Sequence, residues 1–217
     1  MIEAVVFDLD GVLIDSEQVW DEVRETLARE RGGRWHGAAQ RDMMGMSSPE
    51  WSRYMHEVIG LADAPGEINR EVVARMLRRY EQGAPWLPGA LDAVRRVAER
   101  WPLGLASSSN RELIDAVLEA GGLTALFHAT VSSEEVERGK PAPDVYVEAA
   151  SRLGVAPMRC AAVEDSHNGI RSAKAAGMRV VAVPNPHFPP GDEALAEADA
   201  VVASIAELTP EALVDAA

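Results

Sequence analysis

Only one cysteine, Cys160, occurs in the 217 residues, so no internal disulfide can form. Its neighbours Ala161, Ala162 and Val163 read as a buried strand, which makes the thiol an inert core group. Positive charge is scarce too: 21 basic residues stand against 35 acidic ones, a formal net charge of -14. Nucleic acid and anionic membrane surfaces want basic patches, so neither is expected as a partner. A small anionic substrate remains compatible, because a local site can be positive inside an acidic envelope. No apolar run is long enough to span a bilayer, and the first strand begins at Ile2, leaving no room for a signal peptide. The expectation is a cytoplasmic protein. Low-complexity segments are missing as well, and with 47% hydrophobic residues a normal packed core is expected.

What the chain does have is a regular series from Leu103 onward. Short apolar runs at 103–107, 127–131, 160–163, 180–183 and 200–203 read as strands. Helix signals lie between them. Asn110 can cap a helix with apolar face Leu113, Ile114, Val117 and Leu118, stopped by Gly121 and Gly122. Segments 141–153 and 168–176 give two more, stopped by Gly154 and Gly177. The alternation predicts a Rossmann-like doubly wound parallel α/β sheet. Residues 15–85 differ. Trp20, Val23, Leu27 and Ala28, then Ile68, Val72, Met76, Leu77 and Tyr80, recur at helical spacing, and no strand is evident. The economical reading is a small helical cap at 15–85 inserted into a core of 1–14 and 86–217, with Pro88 and Gly89 turning the chain back.

The opening run VVFDLDGV ends a buried strand in two carboxylates, Asp8 and Asp10. Like charges at one strand tip repel and lose hydration, so a partner is required. Ligands of open parallel sheets bind beyond the carboxyl ends of the strands. Here those ends supply Asp8 and Asp10; Ser107, Ser108, Ser109 and Asn110; Lys140; and Glu164, Asp165 and Ser166. Alternation puts Asp8 and Asp10 on one side of the strand, about 6–7 Å apart. With Asp165 they offer enough hard oxygens for one Mg²⁺. The metal and Lys140 would neutralise a phosphate, and Ser107 with the amides near Ser108 and Asn110 would bond it. Asp8 could then attack phosphorus, with Asp10 exchanging protons with the leaving group and with water. Only Lys140 and Lys174 are lysines. In a chain so tilted to arginine, a lysine at a strand-to-helix junction suits a site wanting a compact point charge.

These residues resemble the motifs of the haloacid dehalogenase superfamily in its capped phosphatase branch, with the β-phosphoglucomutases and phosphoglycolate phosphatases. DLDGVL, LASSSN, GKPAPD and VEDSHNGI fall in the family's order and span essentially the whole chain. The resemblance implies Asp8 as nucleophile, Asp10 as acid and base, Ser107 as phosphate ligand with Asn110 in the loop beside it, and Lys140 as the charge-stabilising cation. It implies a Mg²⁺ held by Asp165, the Asp8 carboxylate and the Asp10 backbone carbonyl, with Glu164 behind them. The implied activity is hydrolysis of a small phosphorylated metabolite, a sugar or polyol phosphate. β-Phosphoglucomutases carry a cap histidine and a cap arginine where this chain has Trp20 and Ser48, which weakens a phosphotransferase reading.

Blander readings stand beside these. The serine run can be a plain loop, Ser166 a helix cap, and His167 an exposed loop residue. His36, His56, His128 and His187 show no partner pattern. Trp20 and Met43, Met44 and Met46 around Gly45 fit cap packing as well as substrate contact. A metal-free dehalogenase has no use for Asp10 and Asp165, and a phospho-accepting signalling receiver pairs adjacent acids and lacks a helical insertion. The sequence indicates neither the ester hydrolysed nor the oligomeric state.

Overall fold

The computed structural model describes residues 1–44, 46–185 and 189–214; Gly45 and His187 lie outside the described residues. Six strands form one parallel sheet: β1 (Ala4–Phe7), β2 (Leu103–Ser107), β3 (Phe127–Ser132), β4 (Cys160–Glu164), β5 (Arg179–Ala182) and β6 (Ala200–Val201), in the order β3-β2-β1-β4-β5-β6. β1 is central, with Val5 opposite Leu103 on one side and Ala161 on the other. The strand order reverses beside β1, between β2 and β4, which places the ligand crevice at the tip of β1.

Alternation along the strands divides the core in two. Val5, Phe7, Leu105 and Val163 face one layer, with α5 (Ala90–Ala98) and α6 (Arg111–Ala120) covering them. Ala4, Val6, Ala106 and Ala162 face the other, under α7 (Asp144–Leu153) and α8 (His167–Ala175). The second face carries mostly alanine and valine, and the ring of Tyr146 on α7 is buried with them. Cys160 is a buried member of this layer.

Between β1 and α5 the chain builds α1 (Glu17–Glu30), α2 (Ala39–Met43), α3 (Ser48–Glu57) and α4 (Pro65–Glu81), with no strand among the described residues of this segment. The apolar stripes expected on the two long helices are the buried ones: Trp20, Val23, Leu27 and Ala28 on α1, and Ile68, Val72, Met76 and Tyr80 on α4. The two crossing chains are tied together where they leave and rejoin the sheet. Asp15 N–H donates to the Pro85 carbonyl at 2.8 Å and Leu87 N–H to the Leu13 carbonyl at 3.0 Å. No helix among the described residues is long and apolar enough to cross a membrane.

Several element ends differ from expectation. β1 starts at Ala4 rather than Ile2. α7 starts at Asp144 rather than 141, because Pro141 and Pro143 lack N–H groups and bias Lys140 and Ala142 away from helical backbone. β6 stops at Val201; its one neighbour, β5, ends at Ala182, two residues before Pro184.

Candidate active site

Asp8 continues the β1 ladder, its N–H donating to the Val163 carbonyl at 3.0 Å. Two residues on, the backbone folds into a turn in which Gly11 N–H donates to the Ile14 carbonyl at 2.8 Å. Gly11 takes φ +79°, and a Cβ there would stand 1.9 Å from Asp165 Oδ2. A glycine is therefore required twice over, by left-handed backbone and by contact. The turn brings the tips of β1 and β4 together.

Lys140 Nζ donates to Asp8 Oδ1 at 2.8 Å and to Glu164 Oε1 at 2.6 Å, and it lies 5.0 Å from the centre of the Tyr146 ring. Glu164 sits at the hub. Oε1 also accepts from Tyr146 Oη at 2.9 Å, and Oε2 from the backbone N–H of Asp165 and Ser166 and from Ser166 Oγ. Five donors engage its two oxygens. Gly169, in the first turn of α8, makes room for this carboxylate: a Cβ would lie 1.7 Å from Oε1. Ser166 caps the same helix, its Oγ accepting from Gly169 N–H at 3.1 Å.

Burial opposes charge on all these groups, but neighbours decide the outcome. Burial tends to strip Lys140 of its proton, yet Asp8 and Glu164 hold its pKa above the ordinary lysine value. Burial raises Glu164, and Lys140 with the Ser166 N–H outweighs it, leaving the group below its usual value. Asp8 is pushed up to about 8 by burial, with Glu164 and Asp10 adding and Lys140 opposing. Asp165 is raised well above its ordinary value by burial, then by Glu164 and Asp8. Asp8, Glu164 and Asp165 each bring a carboxylate oxygen within 4.8 Å of the others. One lysine does not balance three such carboxylates, and a hard divalent cation with oxygen ligands would.

The Asp10 side chain is not in that group. Oδ1 accepts from Ser16 Oγ at 2.5 Å and Trp20 Nε1 at 3.3 Å, and Oδ2 from Ser107 Oγ at 3.3 Å and Ser109 Oγ at 2.7 Å. Of the serine run, Ser108 and Ser109 line the pocket, while Ser107 is fully buried with its hydroxyl turned to Asp10. Asn110 stands where expected before α6 but does not cap it. Its amide nitrogen donates to Glu134 Oε1 at 2.7 Å and to Asn69 Oδ1 of α4 at 3.2 Å, so its side chain joins core to cap instead of facing the pocket.

The cavity over Asp8 is narrow, with about 50 Å³ open to the centre of a water molecule. Asp8, Asp10, Lys140 and Asp165 form the floor, and Glu17, Trp20, Arg24, Met43, Met44, Met46 and Trp51 form the opposite wall. Glu17 and Arg24 were not singled out from sequence; an arginine four residues after Trp20, on the apolar stripe of the helix, is an oddity that marks Arg24, while nothing local marks Glu17. Burial, reinforced by Asp10, pushes Glu17 up to about 7. Burial also pulls Arg24 down to about 10 against the pull of Glu17 and Asp10. His167 lines the neighbouring groove beside Arg41 and Asn168.

Comparison with known proteins matches residues 2–177 to the haloacid dehalogenase-like hydrolase family. Hexitol phosphatase B of Escherichia coli K12 is 34% identical, covering 98% of this chain and 96% of that protein. A probable pseudouridine-5'-phosphatase of Drosophila melanogaster is also 34% identical, covering 95% and 91%. Among solved structures, CbbY of Rhodobacter sphaeroides in complex with xylulose-(1,5)bisphosphate superposes with a TM-score of 0.83 at 28% identity, covering 96% of each chain. The β-phosphoglucomutase of Clostridium difficile gives 0.84 at 26%, covering 97% and 95%. The chain belongs to the haloacid dehalogenase-like hydrolases, in the branch that holds these phosphatases and β-phosphoglucomutase.

Proposed function

We propose that this haloacid dehalogenase-like hydrolase is a cytoplasmic, Mg²⁺-dependent phosphatase that hydrolyses a small sugar or polyol phosphate through an aspartyl-phosphate on Asp8. The observation that carries the reading is the pairing of Asp8 with Lys140 at 2.8 Å in a pocket whose floor also holds Asp10 and Asp165. Relatives named for hexitol and pseudouridine phosphates support the substrate class.

Asp8 Oδ attacks phosphorus and the bond from phosphorus to the ester oxygen breaks. Asp10 gives its proton to the departing alkoxide, then takes one from the water that cleaves the acyl phosphate, so the second half-reaction restores both carboxyl groups. Lys140 stays protonated throughout and offsets charge on the phosphoryl oxygens, while Ser108 and the amides of its loop orient them. Asp8 and Asp165, with the Asp10 backbone carbonyl, would hold Mg²⁺, which supplies further charge neutralisation. Trp20, donating to Asp10 at 3.3 Å, stands where the resemblance implies a histidine in β-phosphoglucomutases, and this supports hydrolysis over transfer. Residues 1–14 and 86–217 act as the catalytic core and 15–85 as a cap hinged near Asp15 and Pro85, closing to exclude water.

The test is phosphate release from a panel of monoesters with Mg²⁺ and with chelator, beside Asp8→Asn. Metal-dependent release from a narrow set is expected, falling by at least about 10³-fold in the variant while it still unfolds cooperatively. Full activity in Asp8→Asn would remove Asp8 as nucleophile.

A further inference from the structure

We infer that Glu17 and Arg24, on one face of α1, select the leaving group, and that the group they fit is a neutral, polyhydroxylated alcohol. The inference rests on the phosphatase reading above and concerns the same pocket.

Positions 17, 20 and 24 share one side of a helix, and all three line the cavity opposite Asp8. Arg24 is only 5% exposed. Its guanidinium lies 4.4 Å from the centre of the Trp20 ring and 4.7 Å from that of Trp51, which holds a cation by its charge but satisfies no N–H direction. Nη1 donates to Gln40 Oε1 over a long 3.4 Å, and Nε is buried without an acceptor. Buried N–H groups of a cation left in that state are costly; Arg24 nonetheless lines the cavity, where a guanidinium with five N–H donors has others to offer a ligand oxygen.

Gln40 also explains why Glu17 does not meet that need. Its Nε2 donates to Glu17 Oε2 at 2.7 Å and to the Glu17 carbonyl at 3.2 Å, while its Oε1 faces Arg24. The amide stands between acid and base. The wall therefore presents a strong donor and a strong acceptor separately, which suits hydroxyl groups, since each both donates and accepts. A leaving group bearing a carboxylate or a second phosphate could use Arg24, but its oxygens only accept, so it would have no hydrogen to give Glu17 beside it. That unmet acceptor is a device of rejection.

The test measures binding without turnover. Asp8→Asn protein with Mg²⁺ is titrated with a hexitol phosphate, with phosphoglycolate and with p-nitrophenyl phosphate, by calorimetry and by intrinsic tryptophan fluorescence. The hexitol phosphate should bind tightest. Adding Arg24→Met should weaken it at least tenfold more than it weakens p-nitrophenyl phosphate. The near-isosteric Glu17→Gln should do the same and stands in if Arg24→Met fails to fold. Equal weakening of both esters, or tighter binding of phosphoglycolate, overturns the inference. Selective binding with no phosphate released by the wild-type enzyme would support the inference and strike the hydrolysis reading instead.

Discussion

The floor of the pocket holds Asp8, Lys140, Glu164 and Asp165 in a network of charged hydrogen bonds, and two glycines are pressed against its carboxylates. The opposite wall sets methionines and tryptophans around one buried arginine whose Nε has no acceptor. The floor is tightly fixed: five donors hold Glu164, Lys140 bridges it to Asp8, and shape is enforced to a methyl group. The wall is soft, because methionine has no branched shape to defend and refills gaps easily. Rigidity thus lies where phosphorus and charge must be held, and adaptability where the alcohol must be accommodated.

The sharpest way to break this contrast is to change one residue on each side. Gly169→Ala puts a Cβ 1.7 Å from Glu164 Oε1, and neither the helix turn nor the five-donor carboxylate can yield cheaply. We expect a loss of about 3 kcal/mol or more in urea unfolding. Met44→Leu in the wall should change stability by less than about 1.5 kcal/mol while reordering the preferred esters. If the two substitutions are equally well tolerated, the floor is not rigid.

A second test sharpens the electrostatic half of the comparison. Burial first, then Glu164 and Asp10, raise Asp8 to about 8 in the metal-free fold, whereas the unfolded chain releases that proton near 4. The folded state then binds more protons between these values, so its stability is fullest at low pH and is lost as pH rises through 8. Glu17, raised to about 7 chiefly by burial, acts in the same direction. Glu164, held below its usual value, acts below this window. In chelator, the melting temperature should fall from pH 5 to 8. With saturating Mg²⁺ the fall should shrink, because the cation replaces protons on the carboxylates. A pH profile identical with and without Mg²⁺ would deny the floor its metal.

Much of the floor was legible in the sequence because strand ends are few and each carries a short polar signature. Asp8, Asp10, Lys140 and Asp165 lie together for that reason, whereas the all-apolar run 4–7 does not reveal the two core layers into which its side chains alternate. Helical periodicity carries less. It shows that α1 buries Trp20, Val23 and Leu27, but not which buried residues face a pocket rather than another helix, so Arg24 passed unnoticed. α2 spans only five residues, too few to show a period. Asn110 illustrates a different limit: its place before α6 is local information, while its partners Asn69 and Glu134 come from distant segments that the fold alone brings near.

Trp20 is where the two halves touch, and its removal has the smallest expected effect. The indole N–H donates to Asp10 Oδ1 at 3.3 Å, a longer bond than those from Ser16 and Ser109. Trp20→Phe deletes that donor and keeps an aromatic ring against Trp51 and Arg24. Three hydroxyl donors remain on Asp10, so kcat should drop by about two- to tenfold, the worth of one modest hydrogen bond. A loss beyond about 100-fold, more than 2.7 kcal/mol, with unfolding unchanged, would place the cap inside the proton-transfer machinery. The wall would then do more than choose the alcohol: closing it would set Asp10 for catalysis, and the division between rigid floor and adaptable wall would fail at that residue.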